Sequence, residues 1–210
     1  MQSWTSLSIP DFKVESASKI KMWNTQSRSI VEITEKNIDL YVCGITPYDA
    51  THMGHAATYL TFDLLQRLLM IQGRTVSYVQ NITDVDDPLL ERAIRDNLDW
   101  RVLATKEIDL FKDDMSALRV MPPQHYIGAV EAIPLVIKAI EKLMSKNAVY
   151  KIENDLYFDV KSDPDFGDRS HLPIEEMIEI FAQRGGDPTL VGKRNKLDCL
   201  LWRANREGEP

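Results

Sequence analysis

The stretch YVCGITPYDATHMGH, Tyr41 to His55, decides the fold. It is entered by a short apolar run, Asn37 to Gly44 (NIDLYVCG), whose closing glycine suits a buried strand delivering a loop at its carboxyl end. The loop is Ile45 to Gly54. From His55 to Gln72 the apolar positions Ala56, Tyr59, Leu60, Phe62, Leu64, Leu65, Leu68 and Leu69 recur at helical spacing, and Gly73 supplies the stop. Thr75 to Ile82 (TVSYVQNI) is β-branched and aromatic, which predicts a second strand. Strand, loop, helix and strand form one parallel crossover unit, and such units bind nucleotides at their strand ends. The fold class is therefore α/β, built on a Rossmann-like parallel sheet.

Beyond this unit, Pro88 to Asp96 and Trp100 to Leu118 read as helices, the second opened by Asp99 as its cap. Met121 to Tyr126 (MPPQHY) breaks the pattern. Ile127 to Asn147 is helical again, with Pro134 in its first turns as a source of a kink. Val149 to Ile152 and Leu156 to Val160 predict a hairpin turned by Glu153-Asn154-Asp155, and Ile174 to Gln183 a further helix. The turn-rich Arg184-Gly185-Gly186-Asp187-Pro188 and a closing segment, Leu197 to Arg203, follow. The weakly patterned start, through Lys36, is expected to wrap the domain. The expected organisation is thus an amino-terminal wrap over 1–36, the first half of a Rossmann-like catalytic domain over 37–126, and a helical and hairpin connective region over 127–210, with a small inserted or appended subdomain. Arg206 to Pro210 has no helix-ending or strand-ending logic, so the chain is expected to continue into a second half.

The 210 residues, 44% hydrophobic and 27% charged, can bury one substantial core. A net charge of -7 argues against a broad basic footprint that would hold nucleic acid through its phosphates. No apolar run approaches the roughly 20 residues of a membrane span, and the start lacks the grammar of a secretory signal, so a cytoplasmic location with no membrane partner is expected. Two distant cysteines, Cys43 and Cys199, do not suggest a disulfide framework. No Gly-x-Gly-x-x-Gly fingerprint of a dinucleotide oxidoreductase is present.

The chemistry concentrates at His52 and His55, three apart, directly after a predicted parallel strand and at the start of a helix. Backbone N–H groups and the positive end of the helix dipole favour an anion there, and two imidazoles add donors for a phosphoryl group. If that group is the α-phosphate of ATP, the pair stabilises charge as pyrophosphate leaves. The ordinary alternative is a His52 that caps the helix and a His55 that starts it. Asn81 to Thr83, at the end of the second strand, should line the same crevice. Asp84, Asp86 and Asp87 read at least as well as a solvated turn into the next helix as a magnesium site.

His52-Met53-Gly54-His55 resembles the nucleotide-binding signature of class I aminoacyl-tRNA synthetases. Tyr41-Val42-Cys43-Gly44 before it and Asn81-Ile82-Thr83-Asp84-Val85-Asp86-Asp87 after it resemble the cysteine-activating branch, which includes cysteinyl-tRNA synthetase and the mycothiol-pathway cysteine ligase. Ile45 and Pro47 in the loop, and Pro88 where the synthetase usually has lysine, are similar to the ligase side of that branch. Gln183-Arg184-Gly185-Gly186-Asp187-Pro188 resembles a ligase signature that begins with glutamate, from which Gln183 departs. Asp198 and Trp202 resemble the segment before a second zinc-binding cysteine, while Cys199 reads as a buried structural thiol.

The resemblance implies that Cys43 is a zinc ligand, that Gly44, Ile45, Thr46, Thr58, Asn81, Ile82 and Thr83 contact the cysteinyl-adenylate, and that His52 and His55 are catalytic. It implies zinc and ATP, with magnesium accompanying the nucleotide, L-cysteine as substrate and the amine of glucosaminyl-inositol as acceptor, in a monomer. An open coordination position on zinc binds a substrate thiolate and rejects the harder oxygen of serine. The further zinc ligands and the lysine-rich phosphate loop of the family have no counterpart in these residues, so little activity is expected of these residues alone.

Overall fold

The computed structural model describes residues 1–6, 8 and 19–206. Residues 7 and 9–18 of the expected amino-terminal wrap, and 207–210, lie outside the described residues. The chain divides into two compact units, Met1–Lys21 with Glu32–Ile133, and Met22–Val31 with Pro134–Pro210.

The first unit is built on a three-stranded parallel sheet in the order β3-β4-β5, where β3 is Asn37–Val42, β4 Thr75–Ile82 and β5 His125–Gly128. Between β3 and β4 runs α1, Met53–Ile71, and between β4 and β5 run α2, Asp87–Arg95, and α3, Trp100–Ala117. The predicted crossover is therefore present, with β4 at its centre and its side chains alternating between buried and half-buried. β5 lies partly inside the segment read as a break. Its four residues follow Pro122-Pro123, and only pairing with β4 makes them a strand.

The core of this unit joins Val42 and Ile45 of the β3 end, Tyr59 of α1, Tyr78 and Ile82 of β4, Phe111 and Met115 of α3, and Tyr126 of β5. Trp4 completes it, donating its indole N–H to the Val120 carbonyl at 2.8 Å. A second cluster, Leu89, Ala93, Leu103 and Ala104, packs α2 on α3. Asp99 caps α3 as predicted, accepting from the Arg101 and Val102 amides. Asp86 caps α2, so that carboxylate closes the turn into the helix.

The second unit contains an antiparallel sheet ordered β6-β7-β8: β6 is Val149–Ile152, β7 Asp155–Phe158 and β8 Leu200–Trp202. It also holds α5, Ile174–Gln183, with the bounds read from sequence. The two-stranded sheet of β1, Lys21–Asn24, and β2, Ser29–Glu32, lies largely in this unit, where the sequence predicted only a wrap. Helix α4, Ala129–Ser145, contains Pro134 and passes from the first unit's residues to the second's.

Candidate active site

Strand β3 ends at Val42, and the next residue carries an exposed, free thiol, Cys43. Gly44 follows because nothing larger fits: a Cβ there would lie 1.5 Å from the Asn81 carbonyl oxygen on β4. The Gly44 amide donates to Asn81 Oδ1 at 3.0 Å, and the Tyr41 hydroxyl donates to the same oxygen at 2.8 Å. Asn81 Nδ2 lies 3.4 Å from Thr83 Oγ1, and the Thr83 amide donates to the Ile45 carbonyl at 3.0 Å. The two strand ends are thus stitched together, and Gly44, Ile45, Thr46, Asn81, Ile82 and Thr83 form one neighbourhood, as the parallel pairing requires. Within it Ile45 and Ile82 are buried core residues, so only their backbone atoms are available to a ligand.

The rest of the loop is braced from three elements. Tyr59 on α1 donates its hydroxyl to the Cys43 carbonyl at 3.2 Å. Arg92 on α2 donates to the Tyr48 carbonyl at 3.2 Å and lies 3.5 Å from the Asp49 carboxylate. Thr51 donates to the Asp114 carboxylate on α3. A loop held at so many points is pre-organised, which is what a site that must position reactants needs.

At the loop's end, His52 caps α1 and the pair forms a reciprocal box. The Gly54 amide donates to His52 Nδ1 at 3.0 Å, and the His52 amide donates to His55 Nδ1 at 3.2 Å. The rings lie face to face, 4.1 Å between centroids and tilted by 31°. Gly54 permits this, since a Cβ there would meet His52 Cε1 at 2.8 Å. Both Nδ1 atoms accept from backbone N–H groups, so each neutral ring carries its proton on Nε2. Burial, then the charge of His52, holds the His55 pKa below its ordinary 6.5, which keeps that ring neutral.

The capping reading of the histidines holds: capping fixes the tautomer, and the tautomer leaves two Nε2–H donors. The backbone contributes less than the sequence suggested. The Gly54 amide goes to His52 Nδ1, and those of His55 and Ala56 go to the His52 carbonyl, so the donors offered to an anion are chiefly the imidazoles. Thr58 donates to the Gly54 carbonyl at 3.1 Å, which occupies its proton within the helix. A cavity of about 510 Å³ opens beside His52 between the start of α1 and the end of α3, lined by Thr51, Ala56, Leu60, Asp114 and Leu118. Cys43, Asn81 and Thr83 are not among its walls.

The chemistry of Cys43, an exposed thiol at a strand end, suits a zinc ligand. Among the described residues no three His, Cys, Asp or Glu side chains come together to hold a metal, so these residues alone do not make a zinc site. Tyr41 and Tyr59 are the residues that sequence reading missed. In the sequence Tyr59 reads as an apolar helix position; a tyrosine inside such a stripe signals a hydroxyl that needs a partner.

Residues 29–210 match the family described as tRNA synthetases class I (C) catalytic domain. The chain belongs to that family. Its curated relatives include proteins named L-cysteine:1D-myo-inositol 2-amino-2-deoxy-alpha-D-glucopyranoside ligase. One, from Thermomonospora curvata, is 63% identical over 171 residues, 81% of this chain and 41% of the relative. Those of Catenulispora acidiphila and Kribbella flavida are 51% and 54% identical, covering 100% of this chain and 50% and 52% of theirs. The chain spans about half the length of the curated relatives it matches. Class I membership accounts for the parallel sheet.

In the second unit, the Gln183 to Pro188 signature closes α5. Gly185, at φ +85, donates to the Ala182 carbonyl and Gly186 to that of Phe181, a Schellman ending. Gln183 Nε2 donates to Glu179 at 3.1 Å. Asp198 is fully buried and accepts from the Tyr150 hydroxyl, the Val160 amide and the Asn195 amide at 2.6, 2.9 and 2.8 Å. Cys199 is half-buried rather than buried, and burial pushes its thiol pKa up. No helix among the described residues is long and apolar enough to cross a membrane.

Proposed function

We propose that this chain is the ATP- and cysteine-binding half of a ligase that activates L-cysteine to cysteinyl-adenylate, releases pyrophosphate, and passes the cysteinyl group to the amine of glucosaminyl-inositol, releasing AMP. The observation that carries the first step is the His52–His55 box, whose capping bonds leave two Nε2–H donors at the start of α1. Such donors stabilise charge that builds on the phosphates as the cysteine carboxylate attacks the α-phosphorus, with the pyrophosphate oxygen as leaving group. The acceptor rests on the relatives, which are named for that reaction.

In this reading the backbone of Gly44, Ile45 and Ile82, with Thr46, Thr58 and Thr83, frames the adenylate, and Cys43 lies toward the cysteine side chain. Zinc bound at Cys43, with ligands from outside the described residues, would supply an open position for a thiolate. Magnesium accompanies ATP, and the protein acts in the cytoplasm as a monomer.

The test is single-turnover transfer from pre-formed cysteinyl-adenylate on the full-length protein, offered glucosaminyl-inositol and tRNA in parallel. Amide formation with the amino sugar is the expected result. Loading of tRNA would instead assign the protein to the synthetase side of the family.

A further inference from the structure

The Cys43–Gly44 peptide is held at both ends by side chains from two different elements. On one side its N–H donates to Asn81 Oδ1 on β4. On the other its carbonyl accepts from the Tyr59 hydroxyl on α1. Tyr59 is only 2% exposed and its pKa is raised by burial, so that hydroxyl is a permanent donor. Asn81 is fixed in turn, because the Tyr41 hydroxyl shares its Oδ1 and Thr83 Oγ1 lies at its Nδ2.

A peptide plane pinned at N–H and C=O has little rotational freedom, and its orientation sets ψ of Cys43 and the direction in which that residue presents its thiol. The Oδ1 atom of Asn81 takes both donors, and its Nδ2 is turned to Thr83. We infer that Asn81 and Tyr59 are positioning residues: together they grip the Cys43–Gly44 peptide and fix Cys43 where it meets the substrate's side chain. The inference rests on the proposed cysteine activation for its kinetic consequence, though the grip itself does not.

The experiment uses the full-length protein with Tyr59→Phe, which keeps the ring packing and deletes one donor, Asn81→Leu, which deletes the acceptor, and Asn81→Asp, which restores an acceptor of the same shape. KM for cysteine and KM for ATP are measured by pyrophosphate exchange, and exchange of the Gly44 amide hydrogen is followed in parallel. The expected result is a KM for cysteine raised about fivefold to tenfold in Tyr59→Phe and Asn81→Leu, the size of one hydrogen bond, with KM for ATP held within about twofold and recovery in Asn81→Asp. Asn81→Leu should also speed exchange of the Gly44 amide.

Equal rises in both KM values, an unchanged KM for cysteine, or no recovery in Asn81→Asp would overturn the inference. If Asn81→Leu fails to fold, Tyr59→Phe and Asn81→Asp decide by the same KM values. If the wild-type protein shows no cysteine-dependent exchange, the proposed function fails and Gly44 decides the grip: its amide stays protected in Asn81→Asp and loses protection in Asn81→Leu, or the grip is absent.

Discussion

A methyl group added at position 44 would stand 1.5 Å from a backbone oxygen of β4, and no side-chain rotation relieves that contact. Gly44→Ala must push β3 and β4 apart, so it should cost on the order of 2–4 kcal/mol in denaturant unfolding, at the upper end for point substitutions. Gly54→Ala meets only the His52 ring, which can swing away at the expense of the cap, so about 1 kcal/mol is expected there. Two similar losses would contradict this account of the strand crossing. His55 adds a pH signature. Its folded pKa lies below its ordinary 6.5, so the unfolded chain takes up the proton first; stability is complete above 6.5 and falls as pH drops from there through the folded value. His55→Gln should flatten that decline in thermal unfolding between pH 7.5 and 5. The sequence predicts a paired histidine at a helix start, because spacing and a preceding strand are local features. It did not show that Nδ1 of each ring is spent on the backbone, since that depends on how the helix starts in space.

At the scale of elements, His52→Asn separates capping from chemistry. Asparagine is as good a cap as any residue, so the stability of α1 should change by no more than a few tenths of a kcal/mol. It has no Nε2–H, so adenylate formation should fall about 10²-fold to 10³-fold, the loss seen when one oxyanion donor is removed. Retained activity in a folded His52→Asn protein would sink the donor role. The helix ends also follow one rule. After α1, α2, α3 and α5 the chain turns through a left-handed residue, Gly73, Asn97, Arg119 and Gly185, with paired bonds back to the last turn. Arg119, at φ 59, is the costly member, and Arg119→Gly should stabilise the protein by up to about 1 kcal/mol. The sequence displayed the glycine endings openly and the arginine not at all. Likewise β4 was legible to the residue from its β-branched alternation, whereas β5, four residues after two prolines, exists only through its neighbour.

For the whole molecule, the place of one segment escaped sequence reading for a simple reason. Met22–Val31 joins a unit whose remaining residues begin more than a hundred positions later, and no local pattern reports such a partnership. The second unit is organised around the Asp198 carboxylate and its three donors. Asp198→Ala should cost about 3–5 kcal/mol, because it strands buried donors, and a small shift in thermal unfolding would show that the network is dispensable. The first unit carries the histidine box and the gripped strand end, and in the proposed function both serve adenylation of cysteine. Cysteine-dependent exchange of labelled pyrophosphate into ATP by the full-length protein tests this most directly. The account predicts exchange that requires cysteine, is not supported by serine, and collapses in His52→Asn; exchange that is absent, or equal with serine, would contradict it.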